Sequence, residues 1–114
     1  LLFRRASDCL LADRFFTKPD LNRRKLADLV GSNETYLADA IREATGETFS
    51  SYISTLRLQY ALELFETQPD ISLDSVAIDT GYGSYSPFYR AFIKKYGITP
   101  SEYRKLSLSK STSQ

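Results

Sequence analysis

The second half of this sequence repeats the first. Ala27 and Gly31 match Ala77 and Gly81 at an offset of 50 residues. Leu37, Ile41 and Gly46 match Phe88, Phe92 and Gly97 at an offset of 51, as Thr48, Ser50 and Tyr52 match Thr99, Ser101 and Tyr103. One residue inserted in the second turn accounts for the change. A chain of 114 residues built this way must bury the same pattern twice. The pattern is helical. A short helix ends at a glycine that supplies the turn, and a second helix follows within three or four residues. Its apolar positions face back onto the first helix, and the small Ala27 and Ala77 allow close approach. This is the logic of a helix-turn-helix, whose second helix has a face left over for a DNA major groove. A single unit would read equally well as a plain helical hairpin. Two copies around a shared helix weigh against that.

The remaining punctuation agrees. Apolar residues at helical spacing predict a first helix over 2–16, broken at Thr17-Lys18-Pro19-Asp20. Asn22, Asn33, Thr48 and Ser72 are placed as N-caps of the helices that follow, and the turn Gly81-Tyr82-Gly83-Ser84 leads into another helix start. Thr99-Pro100-Ser101-Glu102 combines an N-cap, a proline at the first helical position and a glutamate three residues after the cap. The stretch from Phe49 to Phe65 predicts a helix roughly 25 Å long. It has two apolar sides: Phe49, Tyr52, Ile53, Leu56, Tyr60 and Leu64 on one, Leu58, Ala61, Leu62 and Phe65 on the other. A surface helix has one apolar stripe, so this one is expected to connect two small bodies. No strand pattern survives. The expected fold is all-α: a helix-turn-helix subdomain over 1–48, a linker helix over 49–66, a second helix-turn-helix subdomain over 67–106, and a frayed polar tail over 107–114.

Composition mainly excludes. With no histidine and one cysteine, a zinc finger, a metal centre or a Cys–His nucleophile is not expected, and neither is a cofactor. Cys9, among Ala6, Leu10 and Leu11, reads as a buried structural thiol in a reducing compartment. No glycine-rich phosphate loop is present and the carboxylates are scattered, so an enzyme is not expected. No apolar run is long enough to cross a membrane. The chain starts at Leu1 and contains no methionine. It is therefore read as a fragment whose missing part would hold a sensor or dimerisation domain and could carry a membrane anchor. The net charge of +1 says little, but its distribution says more. Residues 81–114 hold six cations against one anion, and residues 48–80 hold one cation against five anions. A basic C-terminal third can form an electrostatic footprint for nucleic acid, although a solvated basic tail has the same composition.

Particular residues carry a resemblance. Leu26-Ala27-Asp28-Leu29-Val30-Gly31, Thr35-Tyr36-Leu37, Thr45-Gly46-Glu47-Thr48-Phe49 and Leu56-Arg57-Leu58 match the first half of a family pattern. Val76-Ala77, Gly81-Tyr82, Phe88-Tyr89-Arg90-Ala91-Phe92 and Tyr96-Gly97-Ile98-Thr99-Pro100-Ser101-Glu102-Tyr103-Arg104 match the second. With these the chain resembles the AraC/XylS family of bacterial transcription regulators over about residues 5–106. The resemblance implies a cytoplasmic DNA-binding domain with two recognition helices in adjacent major-groove segments of double-stranded DNA. It implies transcriptional activation as the expected outcome and RNA polymerase as an expected partner.

Helical geometry then selects side chains. In the second recognition helix Phe88, Ala91 and Phe92 point inward. Ser86, Tyr89 and Arg90 lie opposite, with Ile93 on the same side and Tyr85 at the N-terminal edge. An arginine can donate two bonds to guanine, and hydroxyls can bond base edges or phosphates. Lys94 and Lys95 are assigned to phosphate, as are Asn33 and Ser84 at helix starts. The first recognition helix presents Thr35, Ala38, Asp39 and Arg42, flanked by Glu34 and Glu43. Asp39 could accept from a cytosine amino group, or pair with Arg42 three residues on; the pair is favoured. The acidic face makes the first head the weaker reader and suits a protein partner as well. Arg57, an arginine recurrent in the family, is assigned either to phosphate or to a carboxylate joining the subdomains.

Overall fold

The computed structural model describes residues 1–112, with side chains through Leu108. Seven α-helices and no strand occur among them: α1 (Leu2–Leu11), α2 (Arg23–Leu29), α3 (Glu34–Thr45), α4 (Phe49–Thr67), α5 (Leu73–Thr80), α6 (Tyr85–Tyr96) and α7 (Pro100–Thr112). Two compact units form, one from Leu1 to Arg57 and one from Leu58 onward, so the boundary falls inside α4.

The first unit buries Ala6 and Leu10 of α1, Phe16, Leu26 and Ala27 of α2, Leu37 and Ile41 of α3, and Tyr52 and Ile53 of α4. Its first helix is shorter than the apolar spacing predicts. α1 stops at Leu11, and a 3-10 turn over Ala12–Thr17 follows. Asp13 and Arg14 there take left-handed conformations, with φ of 51° and 53°. That conformation is unfavourable for a residue with a Cβ, and a short polar side chain such as aspartate tolerates it best. The Thr17 hydroxyl donates to the Arg14 carbonyl at 2.8 Å and closes the turn. The reversal lets Phe16 reach the core while Leu11 stays exposed. Cys9 is half-buried rather than fully enclosed.

The second unit has a core of Leu58, Ala61, Leu64, Phe65, Val76, Ala77, Phe88 and Phe92. Leu64 and Tyr60 belong with this cluster, not with Tyr52 and Ile53, to whose side the sequence pattern assigned them. The apolar character of α4 thus changes side along its length: the first half serves one unit and the second half the other. Phe92 is the hub, its ring 6.2 Å from Phe65, 5.7 Å from Phe88, 4.7 Å from Tyr96 and 5.8 Å from Tyr103. Such tilted and edge-on pairs add to the burial of apolar area. Thr80, the one buried polar residue of this unit among the described residues, is satisfied because its hydroxyl donates to the Val76 carbonyl at 2.7 Å.

α7 begins as a reciprocal capping box. The Thr99 hydroxyl accepts from the Glu102 N–H at 3.0 Å, and the Glu102 carboxylate accepts from the Thr99 N–H at 3.0 Å. These bonds hold the Glu102 carboxyl below its ordinary value. The helix then continues through Thr112. The frayed tail expected from Ser107 is therefore helical over its described part, and residues 113 and 114 lie outside the described residues. After Pro100 the chain has neither glycine nor proline to stop a helix already nucleated, and exposed polar side chains do not oppose one.

Candidate nucleic-acid interface

The two helix-turn-helix motifs are built alike at the level of single bonds. In the first, the Gly31 N–H donates to Asp28 at 3.2 Å and the Ser32 N–H to Ala27 at 2.9 Å. In the second, the Gly81 N–H donates to Ile78 at 3.1 Å and the Tyr82 N–H to Ala77 at 3.0 Å. Both glycines have positive φ, 72° at Gly31 and 107° at Gly81, where a side chain would be strained. The second turn holds an additional left-handed glycine, Gly83, with φ of 80°, within the stretch where the repeat gains its extra residue. Each recognition helix then ends at a left-handed glycine, Gly46 or Gly97.

The recognition helices start differently. Asn33 caps α3, its side-chain oxygen accepting from the Tyr36 N–H at 2.9 Å. Ser84 precedes α6 in an extended conformation and makes no side-chain cap bond. Ser84 is exposed at the start of α6, where the Tyr85 and Ser86 N–H groups are the first-turn donors and Pro87 supplies none.

α6 anchors itself through Phe88 and Phe92, both fully buried. Ser86, Arg90, Lys94 and Lys95 are exposed, and Tyr85, Tyr89 and Ile93 are half-buried. The Tyr85 ring lies 5.6 Å from that of Tyr89 and 6.3 Å from that of Phe88, so the core braces the tyrosine pair. Burial, followed by the neighbouring Tyr89 and Asp74, raises the Tyr85 phenol above its ordinary value and keeps it a neutral donor. Among the described residues Arg90 enters no ion pair. α6, anchored by its buried phenylalanines, therefore exposes a guanidinium and a serine hydroxyl beside two half-buried phenols.

α3 is held by the buried Leu37 and Ile41 and exposes Thr35, Asp39 and Arg42, with Ala38 half-buried. The favoured Asp39–Arg42 pair does not form, and among the described residues neither side chain enters an ion pair. An exposed pair gains little against the side-chain freedom it surrenders. Glu34 instead pairs with Arg23 of α2 at 3.3 Å. No sequence pattern singles out Tyr36, a residue 65% exposed on α3. The one hint is its place immediately before the inward-facing Leu37.

Arg57 has partners that no pattern named. Its Nε donates to the Phe16 carbonyl at 2.8 Å and a terminal nitrogen to the Lys18 carbonyl at 3.0 Å. It braces the segment leading into α2 and is left out of the phosphate set proposed below. In the second unit Arg104 has the parallel arrangement, donating to the Ile71 carbonyl just before α5, with its guanidinium 5.7 Å from the centre of the Phe65 ring. Arg57→Met should lower the stability of the first unit by about 1–3 kcal/mol, the range for bonds to a charged partner. Arg57→Lys should recover only part of it, because one ammonium cannot reproduce the planar fork. Urea denaturation followed by circular dichroism measures both.

Residues 26–106 match the family model described as a helix-turn-helix domain. The chain belongs to the AraC-type helix-turn-helix family. It is 34% identical over 98 residues to the transcriptional regulatory protein YesN of Bacillus subtilis, covering 84% of this chain and 26% of that protein. It is 35% identical over 82 residues to the RCS-specific HTH-type transcriptional activator RclR of Escherichia coli, covering 70% of this chain and 28% of that one. The chain thus spans about a quarter of the length of these relatives. Among solved structures it is similar to the C-terminal domain of AraT, a response regulator from Geobacillus stearothermophilus, with a TM-score of 0.84, 26% identity and coverage of 92% of this chain and 84% of that one. The DNA-binding domain of AdpA in complex with a target DNA shares the fold, with a TM-score of 0.85 at 22% identity and coverage of 96% of this chain and 95% of that one.

Proposed function

We propose that this chain reads double-stranded DNA by sequence, as the DNA-binding part of a cytoplasmic transcription regulator that acts as an activator. The observation that carries this is α6: a helix fixed inward by two buried phenylalanines and presenting Ser86, Arg90 and the Tyr85–Tyr89 pair outward. In this reading Tyr85, Ser86, Tyr89 and Arg90 meet base edges. Asn33, Ser84, Lys94 and Lys95 meet phosphates. Thr35, Ala38, Asp39 and Arg42 read more weakly in an adjacent major-groove segment. Support comes from the family, from the activator named among the relatives and from the fold shared with a DNA-bound domain. A sensor domain elsewhere in the full protein and RNA polymerase complete the proposed circuit.

A second reading is favoured by one observation. The exposed Tyr36 lies on the same helix as Glu34, Asp39 and Glu43, a mixture suited to a protein partner. Salt separates the two readings. Contacts to several phosphates should give a linear fall of log affinity with log salt, with a slope near −0.9 for each phosphate neutralised. Selection from a random duplex pool followed by mobility shifts across a salt series should recover a defined sequence and a steep slope. Recovery of no sequence together with a flat slope would leave the protein-docking reading.

A further inference from the structure

Two arginines of the first unit stand side by side at the start of α2. Asn22, Arg23 and Arg24 at the start of α2, Glu34 at the start of α3, and Thr48 and Ser50 beside the start of α4 line one open polar cleft. Two guanidinium groups enter it. Arg23 is engaged by the Glu34 carboxylate at 3.3 Å, through its Nε, across the helix-turn-helix turn. Arg24 is exposed and, among the described residues, enters no ion pair. In a helix-turn-helix the first helix crosses the sugar-phosphate backbone while the second enters the groove. The cations at the start of α2, Arg23 and Arg24, are therefore placed for a phosphate. A carboxylate is the protein's own analogue of that ligand: anionic, with two acceptor oxygens for the same guanidinium nitrogens.

We propose that Glu34 is an internal competitor for the DNA phosphate that Arg23 would bind, and that it holds down the affinity of the first head. The proposal rests on the DNA-binding reading and adds a specific cause for the weakness of that head. The Arg23 and Glu34 side chains are 52% and 47% exposed. Exposed pairs of this kind are weak, so a phosphate can displace the carboxylate. Displacement still costs the lost pair and leaves an anion beside the DNA. The net gain from Arg23 is thereby cancelled or nearly so. Glu43, at the other end of α3, has no such partner in the cleft and serves as the comparison.

The test is a double-mutant cycle on the 114-residue chain, with a duplex recovered by selection as the probe. Binding of the wild-type chain is measured first; its absence would sink the DNA-binding reading itself and is seen before any variant is made. Glu34→Gln should tighten binding about three- to tenfold at low salt, the scale of one charge-assisted contact, and steepen the salt slope by about one phosphate. In an Arg23→Gln background the same change should give only the smaller gain of relieved repulsion. Glu43→Gln should give a smaller gain that is insensitive to Arg23. Equal gains from Glu34→Gln with and without Arg23 would mean simple repulsion and would overturn the proposal. So would no gain at all. Thermal melts of each variant confirm that the fold is intact.

Discussion

Phe92→Ala should unfold the second unit at a denaturant concentration where the first still stands, with a loss of about 3–5 kcal/mol. The magnitude follows from the side chain's position. Phe92 is fully buried, and its ring contacts Phe65 of α4, Phe88 and Tyr96 of α6 and Tyr103 of α7. Alanine removes the apolar area and leaves a cavity among four rings that cannot all collapse onto it. Against a typical domain stability of about 5–15 kcal/mol the loss is large. Its counterpart Ile41→Ala should cost about 2–5 kcal/mol in the first unit, because a smaller side chain is removed. Phe92→Leu should retain most of the stability. Tyrosine fluorescence reports the event well. The chain has no tryptophan, and six of its eight tyrosines lie after Leu58. The second unit therefore dominates that signal, while circular dichroism weighs both. A single superimposable transition by the two probes, with the midpoint unmoved, would refute the hub assignment.

Much of this architecture was legible in the sequence because it depends on local chemistry. The caps at Asn22, Asn33, Ser72 and Thr99 are signals within four residues, and each makes its predicted bond. The repeated Ala–Gly spacing encodes the turn directly, since only a small residue and a left-handed one satisfy it. Three features escaped for physical reasons. The reversal at Asp13 and Arg14 uses residues with no intrinsic preference strong enough to announce it, and it is stabilised by what Phe16 gains in the core. The partners of Arg57 lie 41 and 39 residues away and are backbone carbonyls, which leave no trace in side-chain pattern. Periodicity predicts two continuous stripes on α4, whereas its buried residues change side midway. Periodicity alone cannot tell where along a helix one body yields to another. At the candidate interface the inward residues were legible from the 3.6-residue period. The ion-pair partner of Glu34 was not, because Arg23 belongs to a different helix.

Arg90→Ala should weaken specific DNA binding by about 1–3 kcal/mol, roughly 5- to 150-fold, the range for a bidentate arginine–guanine contact. Arg42→Ala should cost less than about threefold by the same measure. Both arginines are exposed, but they are not equivalent positions: at the 51-residue offset Arg90 matches Asp39 and Arg42 matches Ile93, and their surroundings differ as well. Arg90 shares α6 with Lys94 and Lys95, and no acid occurs in that helix. Its approach to DNA is therefore assisted by neighbouring charge. Arg42 shares α3 with Glu34, Asp39 and Glu43, and their field opposes a phosphate backbone. The two tyrosines beside Arg90 are braced by Phe88, which limits the freedom lost when the surface docks. Arg90→Lys separates charge from geometry. The lysine should keep most of the salt-dependent attraction and lose discrimination between the selected duplex and a scrambled one, because an ammonium lacks the guanidinium fork. Mobility shifts on both duplexes provide the ranking, with circular dichroism to verify the fold. An Arg42→Ala loss exceeding that of Arg90→Ala would place the dominant reader in the first head and reverse the roles assigned to the two helices.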